Sequence, residues 1–213
     1  MGLRIADVWL FRPHTGWLGP SPPHGTRVIA KNTYESCSVG IDSRSVFVIG
    51  PDTDTRLYES AQTLGQPITV QTFIAGDEVC VAALSCPRPL TLPPMRQALA
   101  RAPDDPEVIL TYADNFRADS ITYNVFEPSS SVNNELTRLT LNIIDMLQVG
   151  SPTRLDYRID SFGVPWLTDI ATSPGWGHAS AMYSAARLTG IGYADFLRAI
   201  VASSLDVRGL LPT

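Results

Sequence analysis

Long apolar runs, cysteine, histidine and lysine are all scarce in this chain of 213 residues. No run approaches the roughly 18 apolar residues that span a membrane, and residues 1–30 contain no signal-peptide core, so we expect no membrane segment and a cytoplasmic location. The three cysteines and three histidines show none of the spacings of a zinc site, so we expect reduced thiols. A net charge of -5 argues against a nucleic-acid partner.

Lysine is the most informative of these scarce residues. Of the 16 basic side chains only Lys31 is a lysine, and it directly follows a short apolar strand predicted over 26–30. A compact ammonium on a thin stem suits a phosphate in a narrow slot, where a guanidinium fork would not fit. Small residues at 32–41 and a second apolar run at 46–49 predict a flap whose backbone N–H groups can face phosphates. A single lysine is also expected by chance in an arginine-biased chain, so the phosphate role is a hypothesis.

The rest of the chain is patterned for a mixed fold. Apolar residues at helical spacing predict helices over 53–64, 133–149 and 193–205. Apolar or alternating runs at 68–74 and 78–84 predict two strands joined into a hairpin by the turn at Gly76. A proline-rich loop follows, and we expect a short helix in it near 95–101.

Two alternating runs, 154–160 and 164–171, predict a further hairpin. The segment between them ends in Gly163, which can take the positive φ of a tight reversal. A two-residue turn there would place Asp156 directly opposite Asp169. Strict alternation would also put Leu167 on the same face as Asp169.

Facing carboxylates such as Asp156 and Asp169 repel, so one must take up a proton unless a cation lies between them. A hard divalent ion, held by carboxylates and completed by phosphate oxygens, meets that requirement. The two aspartates are therefore candidate Mg²⁺ ligands. The alternative is a solvated strand face on which Arg154 and Arg158 neutralise the acids.

A turn cluster at 172–175 follows the hairpin, and an alanine-rich segment at 178–188 predicts a helix. Backbone N–H groups from Gly175 to Ser180 can therefore face an anion. The succession of R-x-D, a hairpin, an acid, T-S-P-G and a serine five residues after that glycine resembles the C-terminal part of D-alanine-D-alanine ligases, in the ATP-grasp superfamily. The resemblance extends from about residue 26 to residue 205.

Two upstream segments carry the same resemblance. The family's lysine and its Glu-Gly-Ser-Ser-x-Gly segment correspond to Lys31 and to 35–40, with serine for the glycine and Cys37 for the first serine. Cys37 is not expected to act as a nucleophile, because no histidine is nearby in sequence to activate it. The resemblance implies nucleotide binding by Lys31, Glu35 and Ser38.

The strands at 68–74 and 78–84 correspond to the family's adenine and ribose segment. The resemblance implies that Gln71, Thr72, Phe73 and Ile74 lie at the adenine edge and that Glu78 holds the ribose hydroxyls. Judged from the residues alone, a surface hairpin with one exposed glutamate is preferred.

The resemblance implies an α+β ATP-grasp fold, in which two α+β subdomains with antiparallel sheets clasp a nucleotide cleft. We expect a central subdomain at 26–85 and a C-terminal subdomain at 86–213, after an irregular connector at 1–25. ATP and Mg²⁺ are the implied cofactors. The implied reaction is phosphorylation of a small-molecule carboxylate, followed by attack of an amine on the acyl phosphate, in a biosynthetic pathway. Arg154 and the backbone N–H of Gly175 would stabilise the oxyanion, and Ser180 would position substrate.

Several positions depart from the family pattern. Asp169 replaces a glutamate, Ala171 stands where an asparagine ligates a second magnesium, and Asn115 and Phe116 replace a Lys-Tyr pair. The family's N-terminal domain is not matched either, so a second copy of the chain or another partner chain would have to supply part of the substrate pocket. The alternative is a non-catalytic nucleotide-binding, scaffold or regulatory homologue.

Overall fold

The computed structural model describes residues 2–84, 88–127, 129–150, 152–207 and 210. Its strands are β1 (Val8–Arg12), β2 (Gly16–Trp17), β3 (Arg27–Asn32), β4 (Val46–Val48), β5 (Ile68–Thr72), β6 (Asp77–Leu84), β7 (Leu90–Thr91), β8 (Met95–Leu99), β9 (Ile121–Val125), β10 (Thr153–Ile159) and β11 (Pro165–Ala171). Its helices are α1 (Thr53–Leu64), α2 (Tyr112–Phe116), α3 (Ser130–Leu147), α4 (Ala181–Leu188) and α5 (Tyr193–Val207). The chain divides into two compact units. Residues 6–74 and 107–121 form one, called here the lysine unit, and residues 1–5, 75–106 and 122–213 form the other, the hairpin unit.

The lysine unit is built on a five-stranded antiparallel sheet in the order β2-β1-β5-β3-β4. Alternation along β3 turns Val28 towards α1, where it packs with Leu57, Ala61 and Val70. The intervening residues of β3, including Lys31, therefore lie on the other face of the sheet. Helix α1 stops at Gly65, whose φ of 61° supplies the left-handed C-cap.

The hairpin unit is built on a six-stranded sheet in the order β11-β10-β6-β8-β9, with β7 also paired to β6. Helix α3 covers one face, and α4 and α5 pack on the other, so the central strand β6 is buried on both sides. The core against α3 includes Val79, Val81, Leu136, Ile143, Leu155 and Tyr157. The core against α4 and α5 includes Ala82, Met95, Met182, Phe196 and Ile200.

The predicted long helices are confirmed within a few residues at their ends. Helix α3 ends at Leu147, and Gln148 with a φ of 50° takes the left-handed cap position. The helix expected near 95–101 is wrong. Those residues have helix propensity, but 95–99 form β8, because pairing with β6 satisfies their backbone and buries Met95 in the core.

The predicted hairpin of 68–84 is also wrong. β5 pairs with β1 and β3 in the lysine unit, whereas β6 pairs with β10, β7 and β8 in the hairpin unit. The chain passes from one sheet to the other at Ile74 and Ala75. This division differs from the expected boundary at residue 85, and the expected connector at 1–25 contains β1 and β2.

Across the described part of the chain, no helix is long and apolar enough to cross a membrane.

Gly76 lies where the backbone of the turn before β6 comes against the end of β10. Its φ is 150°, and a Cβ placed on it would lie 2.0 Å from the carbonyl oxygen of Ile159. We predict that Gly76→Ala lowers the free energy of unfolding by more than about 2 kcal/mol, because backbone must shift on both sides of the contact. Chemical denaturation measures this change.

Gly150→Ala is the matched control, since nothing lies within 4 Å of a Cβ there. Its free energy of unfolding should stay within about 0.5 kcal/mol of the parent. Equal stability of the two variants would contradict the close approach at Gly76.

Candidate functional site

The β10–β11 hairpin brings the predicted carboxylate pair together. Asp156 lies directly opposite Asp169, as predicted, and Arg154 lies opposite Ala171. The reversal is longer than a two-residue turn, because the strand pairing ends at Ile159 and Pro165. A register shift after Asp156 compensates for the longer loop and restores the predicted pairing.

The same register shift corrects the predicted sides of β11. Leu167 pairs with Tyr157 and packs in the core against α3, so it lies on the face opposite to Asp169. Trp166 instead pairs with Arg158 and shares the face of the acids. Strict alternation fails here because the irregular ladder inserts one residue into β11.

Arg154 and Asp156 form a bidentate ion pair. Nε and Nη2 of the arginine each lie 2.7 Å from one carboxylate oxygen of Asp156. Burial alone would lower the pKa of Arg154, but the neighbouring Asp156 charge outweighs it and raises the pKa above its ordinary value. Arg154 is therefore a fixed cation next to the carboxylate pair.

The solvated-face alternative is half correct. Arg154 does neutralise Asp156, but Asp156 and Arg158 are each only 7% exposed, so the face is buried around them. Cys80, directly opposite Asp156 on β6, is also buried. Burial and then the charge of Asp156 raise the pKa of the Cys80 thiol well above its usual range, which makes this thiol unreactive.

Asp169 completes a donor set of two carboxylates. Its Oδ1 accepts a hydrogen bond from the backbone N–H of Ile170 at 2.9 Å, and the residue is exposed. Oxygen donors of this type fit Mg²⁺. Among the residues that the structure describes, no group of three or more His, Cys, Asp or Glu side chains could hold a metal. A hard ion held by Asp156 and Asp169 would take its other ligands from phosphate or water.

Glu78 lies opposite Arg158 on the neighbouring strand and forms an ion pair with it. Sequence analysis identified both residues but did not connect them, because the partner strand of β6 was predicted wrongly.

The sequence did not single out Tyr123, which is mostly buried on β9 and whose hydroxyl lies 3.3 Å from Oε1 of Gln97. Burial raises the pKa of Tyr123, so its phenol stays protonated.

The segment from Gly175 to Ser180 is fixed by α4 and α5. Ser180 is the N-cap of α4, and its hydroxyl accepts from the backbone N–H of Tyr183 at 3.2 Å. The His178 ring stacks on Tyr193 at 3.7 Å, and the Tyr193 hydroxyl donates to the carbonyl of Trp176. The loop is thus held at its start and its end, which is what a positioning loop requires.

In the lysine unit, β3 and β5 bring Lys31 beside Gln71. Lys31 Nζ donates to Gln71 Oε1 at 3.2 Å, and Gln71 is buried. Phe73 continues the segment, with the Arg27 guanidinium 4.8 Å from its ring centroid. Thr72 pairs with Val28, so its side chain faces α1 rather than the face that carries Lys31. Ile74 is half-buried and ends the segment.

The flap joins β3 to β4 and contains two successive residues in the left-handed region. Cys37 has a φ of 52° and Ser38 a φ of 58°. Glu35 accepts from Nε2 of Gln66 at 2.9 Å, which ties the start of the flap to the end of α1. Asn115 Nδ2 donates to the carbonyl of Cys37 at 2.8 Å, so α2 is also tied to the flap.

A family model described as "D-ala D-ala ligase C-terminus" matches residues 25–202 of the chain. The chain is similar to the D-alanine-D-alanine ligase of Pseudomonas putida, with 28% identity over 189 residues that cover 87% of this chain and 54% of that ligase. The D-alanine-D-alanine ligase of Cupriavidus metallidurans is 28% identical over 189 residues, which cover 86% of this chain and 54% of that ligase. The chain spans about half the length of the curated relatives it matches.

Solved structures agree at the level of the fold. The D-alanine-D-alanine ligase of Bacillus anthracis complexed with ATP matches with a TM-score of 0.70 and 17% identity, over 98% of this chain and 62% of that chain. The fold is therefore of the α+β ATP-grasp type, as predicted.

Asp160 holds the turn of the β10–β11 hairpin. Its Oδ1 accepts from the backbone N–H groups of Phe162 and Val164 at 2.9 and 3.0 Å, and its Oδ2 accepts from Trp166 Nε1 at 2.9 Å. Burial would raise the pKa of Asp160, but the hydrogen bonds from Trp166 and from the two backbone groups outweigh it and lower the pKa. The ionised form is therefore favoured in the folded protein.

We predict that Asp160→Asn lowers the free energy of unfolding at neutral pH by about 1–2 kcal/mol, because charge-assisted hydrogen bonds are lost. Since the folded pKa is depressed, this stabilisation is fully present above the unfolded pKa of about 3.9 and disappears as the pH falls through the folded value. The stability difference between parent and variant should therefore shrink at acidic pH. Asp145→Asn, an exposed position on α3, is the control and should leave the pH profile of unfolding unchanged.

Proposed function

The chain belongs to the family of D-alanine-D-alanine ligase C-terminal domains, and from this premise we propose that it is the nucleotide-binding and phosphoryl-handling part of an ATP-dependent carboxylate-amine ligase. One observation carries the proposal. Arg154, Asp156 and Asp169 lie together on one face of β10 and β11, within the matched family segment, as a phosphate and metal site requires.

We propose nucleotide-binding roles for residues of each unit, described separately. In the lysine unit, Lys31, Glu35 and Ser38 would bind phosphates through the lysine ammonium and the flap. The segment 71–74 would line the adenine, with its buried Gln71 already next to Lys31. In the hairpin unit, Glu78 would accept hydrogen bonds from the ribose hydroxyls.

Asp156 and Asp169 would hold Mg²⁺, which when bound neutralises charge on the phosphates. The side chain of Ala171 has no ligating atom, so we propose one ion rather than two. Each oxygen of Asp156 accepts one hydrogen bond from Arg154 and keeps a second lone pair, so Asp156 could ligate the ion while Arg154 stays bonded to it. A guanidinium has five N–H donors, so Arg154 could donate to phosphate oxygens as well as to Asp156.

ATP would supply a phosphoryl group to a substrate carboxylate, and an amine would then attack the acyl phosphate. Arg154 would stabilise the negative oxygen that develops in this attack, together with the backbone N–H of Gly175. Ser180 would position the substrate from the start of α4. The loop between Gly175 and Ser180 is suited to this role because the His178–Tyr193 stack keeps it in place.

The substrates are small molecules, a carboxylate and an amine, used in a biosynthetic pathway. The chain spans about half the length of these relatives, so a contribution of a second copy of the chain or of a partner chain to substrate binding stays a proposal. Those relatives are ligases, so a non-catalytic scaffold or regulatory homologue is not favoured. The proposed reaction begins with ATP, so the protein must bind ATP together with magnesium.

We predict that calorimetry detects ATP binding that is at least about tenfold tighter with Mg²⁺ than without it. The double variant Asp156→Asn/Asp169→Asn should remove this dependence on magnesium, because the charged ligands are lost. A double variant of exposed acids, Asp145→Asn/Asp195→Asn, has the same change in net charge and should retain it. Absence of binding at millimolar ATP would refute the proposal.

We also predict that Lys31→Met weakens ATP binding by about tenfold or more, the effect of losing one charged hydrogen bond to phosphate. Lys31→Arg keeps the charge but carries a broader head, so it should recover only part of the affinity if the slot is narrow. Affinity for adenosine, which has no phosphate, should be the same in all three proteins. An equal loss of adenosine binding would indicate a general structural effect instead.

A further inference from the structure

Arg158 on β10 is held at three points. Its Nε lies 2.6 Å from Oε2 of Glu78. Its Nη1 donates to the carbonyl oxygens of Gly76 at 3.1 Å and of Pro106 at 3.2 Å. The Arg158 side chain is 8% exposed and that of Glu78 is 25% exposed. The arginine is therefore enclosed, while the carboxylate that it contacts can be reached by a ligand.

The three contacts fix the position of the guanidinium. Its donors lie in one rigid plane, so simultaneous bonds to a carboxylate and to two backbone carbonyls leave little rotational freedom. The carbonyls come from separate segments, the turn before β6 and the chain after β8. Gly76 can come this close only because it has no Cβ, as its contact with the Ile159 carbonyl shows.

A guanidinium fixed in this way also fixes Glu78. The two residues lie directly opposite each other on β6 and β10, and Arg158 engages Oε2. A glutamate loses rotamer freedom when it binds a ligand, and for a flexible side chain this loss is a cost to binding. Because the ion pair has already ordered the Glu78 carboxylate, most of that cost falls on folding rather than on ligand binding.

We propose that Arg158 is a positioning residue that holds the Glu78 carboxylate for the two hydroxyls of a nucleotide ribose. The inference rests on the ATP binding proposed above and assigns ribose selectivity within it to the Arg158–Glu78 pair. Oε1 of Glu78 accepts hydrogen bonds from the two ribose hydroxyls, while Oε2 stays paired with Arg158. Arg158 itself does not contact the ligand.

The test compares the affinities of ATP and 2′,3′-dideoxy-ATP, measured by calorimetry with Mg²⁺. The two nucleotides differ only in the hydroxyls, so the ratio of their dissociation constants reports the ribose contact alone. The parent should bind ATP about tenfold more tightly than the dideoxy nucleotide. In Arg158→Gln the ratio should fall to about twofold, while the affinity for the dideoxy nucleotide changes by less than about twofold.

Three further variants distinguish positioning from general damage. Glu78→Gln should reduce the ratio as Arg158→Gln does, because the charged acceptor is lost. Arg158→Lys should give an intermediate ratio, since one ammonium cannot reach all three partners, and it also tests the proposal if the glutamine variant fails to fold. Arg96→Gln is the control, and its ratio should equal that of the parent. Arg96 pairs with Asp77 at 2.7 Å, next to Glu78 in sequence but on the opposite face of the sheet.

Each alternative outcome has one meaning. If the parent prefers ATP and both Arg158 variants keep that preference, the positioning role is refuted and ATP binding stands. If an Arg158 variant loses affinity for both nucleotides equally, its effect is structural and the inference is also refuted. If the parent binds the two nucleotides equally, Glu78 does not hold the ribose and the inference is wrong. If the parent binds neither, the proposed function fails as well.

Discussion

Charges on one face of β10 are buried, and this constraint organises the hairpin unit. A buried ion without a partner costs several kcal/mol, so each charge on this face needs an opposite charge or hydrogen-bonding groups. Arg154 meets the requirement through Asp156 on its own strand, and Arg158 meets it through Glu78 and two carbonyls. The pairing of β10 with β6 is therefore supported by the Arg158–Glu78 ion pair as well as by the apolar core on the other face.

The constraint also prepares the site for its proposed ligands. Arg154 donates to both carboxylate oxygens of Asp156, and the phosphates and metal of a nucleotide would offer both residues new partners. Arg158 is held by backbone carbonyls that a ligand does not replace, so Glu78 stays fixed. One strand thus carries an arginine paired with a proposed metal ligand and an arginine paired with the proposed ribose acceptor. In the lysine unit, Lys31 donates to the neutral Gln71.

Much of the site was predictable because its signals are local. The pairing of Asp156 with Asp169 followed from the alternation and the turn, although a longer loop and a register shift had to compensate each other. The family resemblance supplied the ATP-grasp fold, which the sequence periodicity alone does not distinguish from other α+β folds. The sides of Leu167 and Trp166 were not predictable, since no residue in β11 signals the irregular ladder.

The sequence by itself determined the three long helices, the β10–β11 hairpin and the segments that carry charge, because these depend on spacing along the chain. Only the tertiary structure decided which strands share a sheet. β5 and β6 are neighbours in sequence, but each pairs with strands of a different unit. Residues 95–99 form a strand because they pair with β6. Contacts between distant segments depend on packing that no local pattern records, which is why the Arg158–Glu78 pair emerged only from the fold.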